Sequence, residues 1–80
     1  MSKQTISERV IKFLTEYYHA KEVNSKSTKY RCFKTPKEAT HFYWVGRHGA
    51  VRAGQTISNS VSLTDVIRGR MKVWERQNEI

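Results

Sequence analysis

Apolar residues recur every three or four positions near both ends of the chain, which is the spacing of a helix that buries one face. The first stripe predicts a helix over about residues 6–20, and Thr5 and Glu8 have the spacing of a capping box at its start. The second predicts a helix over about residues 63–77, with Ser62 as a hydroxyl cap. The stripes consist of Ile6, Val10, Phe13, Leu14, Tyr17 and Tyr18 in the first helix and Leu63, Val66, Ile67, Met71 and Trp74 in the second.

The middle of the chain has the pattern of β-strands. Residues 29–34 mix basic residues with strand formers and place Tyr30 and Cys32 on one face, which predicts a first strand. A dense run of aromatic and β-branched residues at 41–45 predicts a second strand. The Thr-Pro-Lys-Glu sequence between them also has the order of a helix start. We therefore expect a turn or a single helical turn at residues 35–39.

A tight hairpin is predicted after the second strand. Residues 47–49 suit a three-residue loop in which the final glycine takes the left-handed conformation. This register pairs Trp44 with Arg52 and leaves both on the face opposite Val45 and Val51. A four-residue loop would instead pair Trp44 with Val51. The three-residue loop is the favoured alternative, and the exposure of Trp44 depends on it.

These elements predict an α+β fold in the order α-β-β-β-α. It is a two-layer domain in which an N-terminal and a C-terminal helix pack on a three-stranded antiparallel sheet. Eighty residues are too few to close a second hydrophobic core, so residues 1–80 are expected to form a single domain. Residues 24–28 lack periodicity and predict a loop. Residues 55–61 fit either a strand extension or an extended loop.

Positive charge is concentrated in the predicted sheet. The chain carries 15 Lys and Arg against 7 Asp and Glu, a net charge of +8, and its isoelectric point is near 10.0. Residues 28–56 hold six basic side chains and one acidic side chain, a local excess of +5. Such a basic surface favours polyanionic partners, and we expect nucleic acid, with DNA ahead of RNA. An acidic protein surface is the alternative partner, and the chain is expected to act as a monomer or homodimer.

Basic and aromatic side chains are interleaved in the predicted hairpin, and nucleic-acid binding uses both. Basic groups contact phosphates, while an aromatic ring stacks on an unpaired base. Trp44 is the candidate for stacking or for anchoring a protein partner. A basic residue also recurs every fourth position on the second helix, where the stripe could track a phosphate backbone. The predicted nucleic-acid-binding residues are Lys29, Arg31, Lys34, Arg47, His48 and Arg52 on the sheet and hairpin, and Arg68, Lys72 and Arg76 on the second helix.

The sequence predicts neither an enzyme nor a metal or cofactor site. Cys32 is the only cysteine, and neither it nor His19, His41 or His48 has the spacing of zinc ligands. One cysteine allows no intramolecular disulfide, so a reducing cytoplasm is expected. No apolar run approaches the roughly 18 to 20 residues of a membrane span, and the first residues lack the apolar core of a signal peptide. We therefore expect no membrane association.

Two functional hypotheses follow from charge, pattern and turn chemistry. The favoured one is a small basic DNA-binding protein that contacts the phosphate backbone through its hairpin and sheet, with the second helix assisting. The alternative is a protein-binding modulator or inhibitor that docks on an acidic surface of a larger protein, such as a nucleic-acid enzyme. Because arginine, tyrosine and tryptophan are the usual anchors of protein interfaces, the same residues serve both hypotheses.

Overall fold

Two helices pack on one face of a five-stranded antiparallel sheet. The computed structural model describes residues 5–25, 28–37 and 41–78. In chain order the elements are α1 (Ile6–Tyr17), β1 (Lys21–Val23), β2 (Tyr30–Lys34), β3 (Phe42–Gly46), β4 (Val51–Gly54), β5 (Ser60–Ser62) and α2 (Thr64–Gln77). Each strand pairs with the next one along the chain, so the sheet is an antiparallel meander.

The predicted α+β class with a helix near each end is confirmed, but the sheet has five strands instead of three. The missed strands, β1 and β5, are the two edges and have three residues each, which is too short for an alternating pattern to be recognised. Helix α1 also ends at Tyr17, not near residue 20, since His19 takes a left-handed conformation (φ 59°) just beyond the cap. Residues 55–61 form a turn and the first part of β5.

The two central strands agree with the sequence pattern. Strands β2 and β3 differ from the predicted ranges by no more than one residue at either end, and Tyr30 and Cys32 share a face as expected. The predicted turn or helical turn at residues 35–39 lies partly outside the described residues, although 36 and 37 form a bend. The predicted loop at 24–28 also includes residues outside them.

The β3–β4 hairpin has the three-residue loop that the sequence favours. Val45 faces Val51 and Trp44 faces Arg52. The Gly46 amide donates to the Ala50 carbonyl at 2.8 Å, and the Gly49 amide donates to the Gly46 carbonyl at 3.2 Å. Gly49 has a φ of +83°, and a Cβ built on it would lie 2.8 Å from Cγ1 of Ile6. Glycine is therefore required here both by the backbone conformation and by the close approach of α1.

The capping box predicted for α1 is confirmed. The Thr5 hydroxyl accepts a hydrogen bond from the Glu8 amide at 3.2 Å, and the Glu8 carboxylate accepts one from the Thr5 amide at 2.9 Å. The hydrogen bond from the Thr5 backbone amide and, to a smaller extent, the Thr5 side chain favour the ionised carboxylate and lower the pKa of Glu8. The first turn of α1 is thereby closed by local chemistry that is independent of the sheet.

The hydroxyl cap predicted at Ser62 for α2 is wrong. Ser62 is the last residue of β5 and pairs with Arg52, so the helix begins after Leu63, which makes no side-chain cap bond. The Thr64 hydroxyl instead accepts from the Val51 amide at 3.0 Å, and the Leu63 amide donates to the Val51 carbonyl at 2.8 Å. The start of α2 is therefore fastened to strand β4 and not capped by its own preceding side chain.

The hydrophobic core lies between the helices and the sheet face that carries the alternate residues of β2, β3 and β4. Each side chain that becomes fully buried there contributes roughly 1.5–3 kcal/mol relative to exposure. Trp74 is partly buried and packs on Phe13, with ring centroids 5.5 Å apart. The large buried residues are Val10, Phe13 and Leu14 of α1, Phe33, Tyr43, Val45 and Val51 of the sheet, and Ile67 and Met71 of α2.

One ion pair joins the two helices across the length of the chain. The Arg9 guanidinium donates to both carboxylate oxygens of Glu75, at 3.0 and 2.6 Å. These bonds hold the pKa of Glu75 below its ordinary value and raise that of Arg9.

Neither α1 nor α2 is long and apolar enough to cross a membrane, and the same holds for every helix among the described residues.

Two glycine substitutions should change stability in opposite directions. Gly49→Ala should lower the free energy of unfolding by about 1–3 kcal/mol, because alanine is strained at positive φ and its methyl group would collide with Ile6. Gly69→Ala should raise it by about 0.5–1 kcal/mol, because Gly69 lies inside α2 and a Cβ there meets nothing within 4 Å. Urea unfolding followed by circular dichroism measures both. Equal effects of the two variants would contradict the hairpin geometry.

The Arg9–Glu75 ion pair should make stability depend on pH. Since the folded-state pKa of Glu75 is lowered, its contribution is complete above the ordinary glutamate pKa of about 4.3 and is lost as the pH falls further. Both partners are partly exposed, so Glu75→Gln should lower the free energy of unfolding by no more than about 1 kcal/mol at pH 7. The difference from the unmodified protein should shrink in acid. A constant difference from pH 7 to about pH 2 would show that the charge is not responsible.

Candidate functional site

The face of the sheet opposite the helices, called the open face below, carries two rows of aligned side chains. Residues that are Cα partners across an antiparallel sheet point to the same side, so the strand register fixes each row. A further aromatic residue, Tyr30, is on the same face at the start of β2. The first row is Lys21, Lys34, Phe42, Gly54 and Ser60, and the second is Val23, Cys32, Trp44, Arg52 and Ser62.

The strand positions of the open face include three basic residues and no carboxylate. Glu22 is on β1 but belongs to the helix side, because it is the partner of Phe33. The acidic residues elsewhere in 5–25, 28–37 and 41–78 are in the helices: Glu8 and Glu16 in α1, and Asp65 and Glu75 in α2. The two sides of the molecule therefore differ in charge: the helix side carries both basic and acidic residues, whereas the strand positions of the open face carry basic residues only.

An apolar groove with a volume of about 610 Å³ crosses the middle of the open face. Its aromatic residues are Phe42 and Trp44, whose ring centroids are 6.1 Å apart in an edge-on arrangement. The Trp44 indole N–H donates to the Gly54 carbonyl at 3.3 Å, which orients the ring. Residues from the β1–β2 and β4–β5 connections complete the groove. Its lining residues are Val23, Asn24, Ser25, Cys32, Phe42, Trp44, Thr56 and Ile57.

Cys32 is buried in the sheet beneath this groove. It lies between Val23 and Trp44 in the second row, and desolvation by these neighbours raises the pKa of its thiol. A raised pKa reduces the thiolate fraction at neutral pH, so the structure gives Cys32 the character of a packing residue.

A second hollow lies at the end of the open face where the hairpin turns. Lys29, Tyr30, Arg47 and His48 line it, and Arg47 and His48 are exposed at the turn. The Tyr30 ring lies over Gly46, where a Cβ would approach to 3.2 Å. The structure therefore brings three of the predicted nucleic-acid-binding residues together around an aromatic ring.

Lys34, Arg52 and Trp44 also lie on the open face, as the favoured register requires. Lys34 is exposed beside Phe42, at the other end of β2 from Tyr30. The Arg52 guanidinium is held by Ser60, through its hydroxyl at 2.7 Å and its carbonyl at 2.8 Å. These bonds use neutral acceptors, and no carboxylate among the described residues forms an ion pair with Arg52.

Arg31 does not belong to the open face. It is the partner of Val45 and therefore lies on the helix side, with its guanidinium 5.6 Å from the centre of the Phe33 ring. It donates to both carboxylate oxygens of Glu22 at 2.7 and 2.6 Å, which lowers the pKa of Glu22. A phosphate would have to compete with this carboxylate, so Arg31 is poorly placed for the predicted contact.

The basic residues of α2 are on yet another surface. Counting 100° per residue from the buried Ile67, Lys72 is about 140° and Arg76 about 180° around the helix, so both point away from the sheet. Arg68 is about 100° around the helix from Ile67, between the buried side and the side that carries Lys72 and Arg76. No ion pair joins any of the three to another described residue. The stripe that the sequence predicts is present, but it is separated from the open face by the thickness of the domain.

Several residues of the open face were not recognised as candidates in the sequence. Lys21 and Val23 belong to β1, which lies between the predicted first helix and the predicted loop at 24–28 and was assigned to no element. Ile57 lies in a segment without periodicity. Phe42 lies on the open face with Trp44, and the sequence analysis gave it no role. Among the residues that the structure describes, no group of three His, Cys, Asp or Glu could hold a metal ion.

Comparisons with protein-family models, with curated proteins and with solved structures find no match to this chain.

The position of Cys32 predicts slow reaction with a thiol reagent. In the folded protein at pH 7 the thiol should react much more slowly than in urea, because it is buried and its pKa is raised. Absorbance after addition of a disulfide reagent such as Ellman's reagent measures both rates. Reaction as fast in the folded protein as in the unfolded one would contradict the burial of Cys32 beneath the groove.

Proposed function

We propose that the protein binds nucleic acid through the open face and the adjoining hairpin turn. The observation that carries the proposal is the segregation of charge. Lys21, Lys34 and Arg52 project from a surface whose strand positions carry no carboxylate. A phosphate chain placed along these strands meets positive charge, and none of the described strand positions on that face carries a carboxylate that would repel it.

The hairpin turn extends this surface beyond the sheet. Arg47 and His48 are exposed at one end of the open face, while Lys34 lies at the other end. The four residue steps along β2 between Tyr30 and Lys34 correspond to about 13 Å. A backbone lying along the strands would therefore meet cationic groups at both ends and at Arg52 between them.

The aromatic content of the surface favours nucleic acid over a purely acidic polymer. Tyr30, Phe42 and Trp44 are on the open face beside the basic residues, and binding of exposed bases uses this combination. Helix α2 is not included in the proposed interface, because Lys72 and Arg76 point away from the sheet.

A pair of charge-matched double variants tests the proposal. Lys34→Gln with Arg47→Gln removes two charges from the proposed interface, and Lys72→Gln with Arg76→Gln removes two from α2, so each protein changes from +8 to +6. Fluorescence anisotropy with a mixed-sequence oligonucleotide, single-stranded and duplex, gives the affinity at a series of salt concentrations. The slope of log affinity against log salt should flatten by up to about 1.4–1.8 for the first variant, because up to two phosphate contacts are lost. It should change little for the second.

Two results would reject the proposal. Affinity that is unmeasurable at about 50 mM salt, or that does not fall as salt increases, would exclude binding through phosphates. Equal loss of affinity in the two double variants would show either that the interface lies elsewhere or that affinity depends only on the net charge of the protein. The same titrations with RNA of the same sequence compare the two kinds of nucleic acid.

A further inference from the structure

We infer that the apolar groove is a stacking site for unpaired bases, so that the ligand of the open face is single-stranded nucleic acid. This inference rests on the proposed function and adds the form of the ligand. The groove lies between the cationic groups of the open face, and its volume of about 610 Å³ is within the roughly 300–1,000 Å³ typical of small-ligand sites. A groove of this size accommodates a planar base.

The aromatic side chains are prepared for such a contact. The polar atom of Trp44 is already bonded to the Gly54 carbonyl, so the indole is oriented without needing water or ligand at its N–H. Phe42 meets it edge-on and supports it from the side. Both rings are only partly buried, which leaves apolar ring surface facing the groove. Rings held in position lose little conformational freedom when a base stacks on them.

Charge complementarity identifies the occupant of the groove as a nucleotide chain. Lys34 is the strand partner of Phe42, and Arg52 is the partner of Trp44, so each groove aromatic has a basic residue directly beside it. The two hydrogen bonds from Arg52 to Ser60 hold its guanidinium in place. Phosphates can therefore contact these cations while the attached bases enter the apolar groove. A neutral apolar ligand would leave the cations without an anionic partner, and an acidic chain without rings would leave the groove empty.

A stacking site selects against a duplex. Base faces in a double helix are stacked on one another, so a protein aromatic ring reaches them only where the bases are unpaired. Asn24 lies at the margin of the groove and offers an amide to the hydrogen-bonding edge of a base.

The test uses Trp44 as its own reporter. Trp74→Phe leaves Trp44 as the only tryptophan, and the variant is titrated with oligothymidylate and with an abasic oligonucleotide of the same length and phosphate number. Stacking should quench Trp44 fluorescence with oligothymidylate and not with the abasic strand. Oligothymidylate should also bind more tightly than either the abasic strand or a duplex of equal length.

Substitutions at Trp44 provide the matched control. Trp44→Ala should weaken oligothymidylate binding by about 5- to 150-fold, which corresponds to the loss of one stacked base, and should leave abasic binding unchanged. Trp44→Phe keeps an aromatic face and should restore much of the affinity. Circular dichroism of each variant shows whether it is folded, and the quenching measurement needs no substitution at Trp44.

Failure of this inference is distinguishable from failure of the proposed function. Salt-dependent binding of equal strength to oligothymidylate, abasic strand and duplex would overturn base stacking while leaving phosphate binding by the open face intact. Absence of binding to all three would overturn both. Quenching of Trp44 by an acidic peptide, with no response to any oligonucleotide, would assign the groove to a protein partner instead.

Discussion

Both helices pack on the same face of the five-stranded sheet, and this arrangement determines the character of the whole molecule. The helices provide two apolar stripes, and the alternate residues of β2, β3 and β4 complete a single core on that side. The other face therefore has to be compatible with water while still holding the strands together. It combines small residues, exposed basic groups and a few aromatic rings, and the strand register aligns them in rows. The surface proposed to bind nucleic acid is thus a direct product of the two-layer architecture.

Charge follows the same division into two sides. Every described carboxylate lies in a helix or, in the case of Glu22, on the helix-facing side of the sheet. Among them, Glu75 pairs with Arg9, Glu22 pairs with Arg31, and Glu8 caps helix α1. These contacts use acidic groups for internal structure. The basic groups of the open face consequently have no acidic neighbours on their strands, although the overall composition contains one acid for about every two bases. The net charge alone would not have distinguished a uniform surface from this arrangement.

The sequence was most informative where the backbone conformation requires one particular residue type, because that residue then marks the conformation. Gly49 determined the hairpin loop, and the loop then determined the faces of Trp44 and Arg52. The helices and central strands were also predictable, since each is long enough to show a period. The edge strands were not, because three residues carry no period, and without β1 the positions of Lys21 and Val23 in the groove could not be inferred. The ion pair between Arg31 and Glu22, which leaves Arg31 poorly placed to contact a phosphate, could not be predicted for the same reason, since Glu22 is on that missed strand.

The meander topology has a further consequence, which concerns how the chain assembles. Each strand pairs with its immediate neighbour in sequence, so the sheet can form by closing short loops one after another at low entropic cost. Contacts between distant parts of the chain are made by the helices, since α1 packs on both α2 and β3, and Arg9 and Glu75 are 66 residues apart. The sheet, with its exposed face, is thus built from local contacts, while the helix pair closes the molecule from its two ends. Sequence changes in the helix pairing should therefore act chiefly on the final closure of the domain and less on the formation of the strand rows.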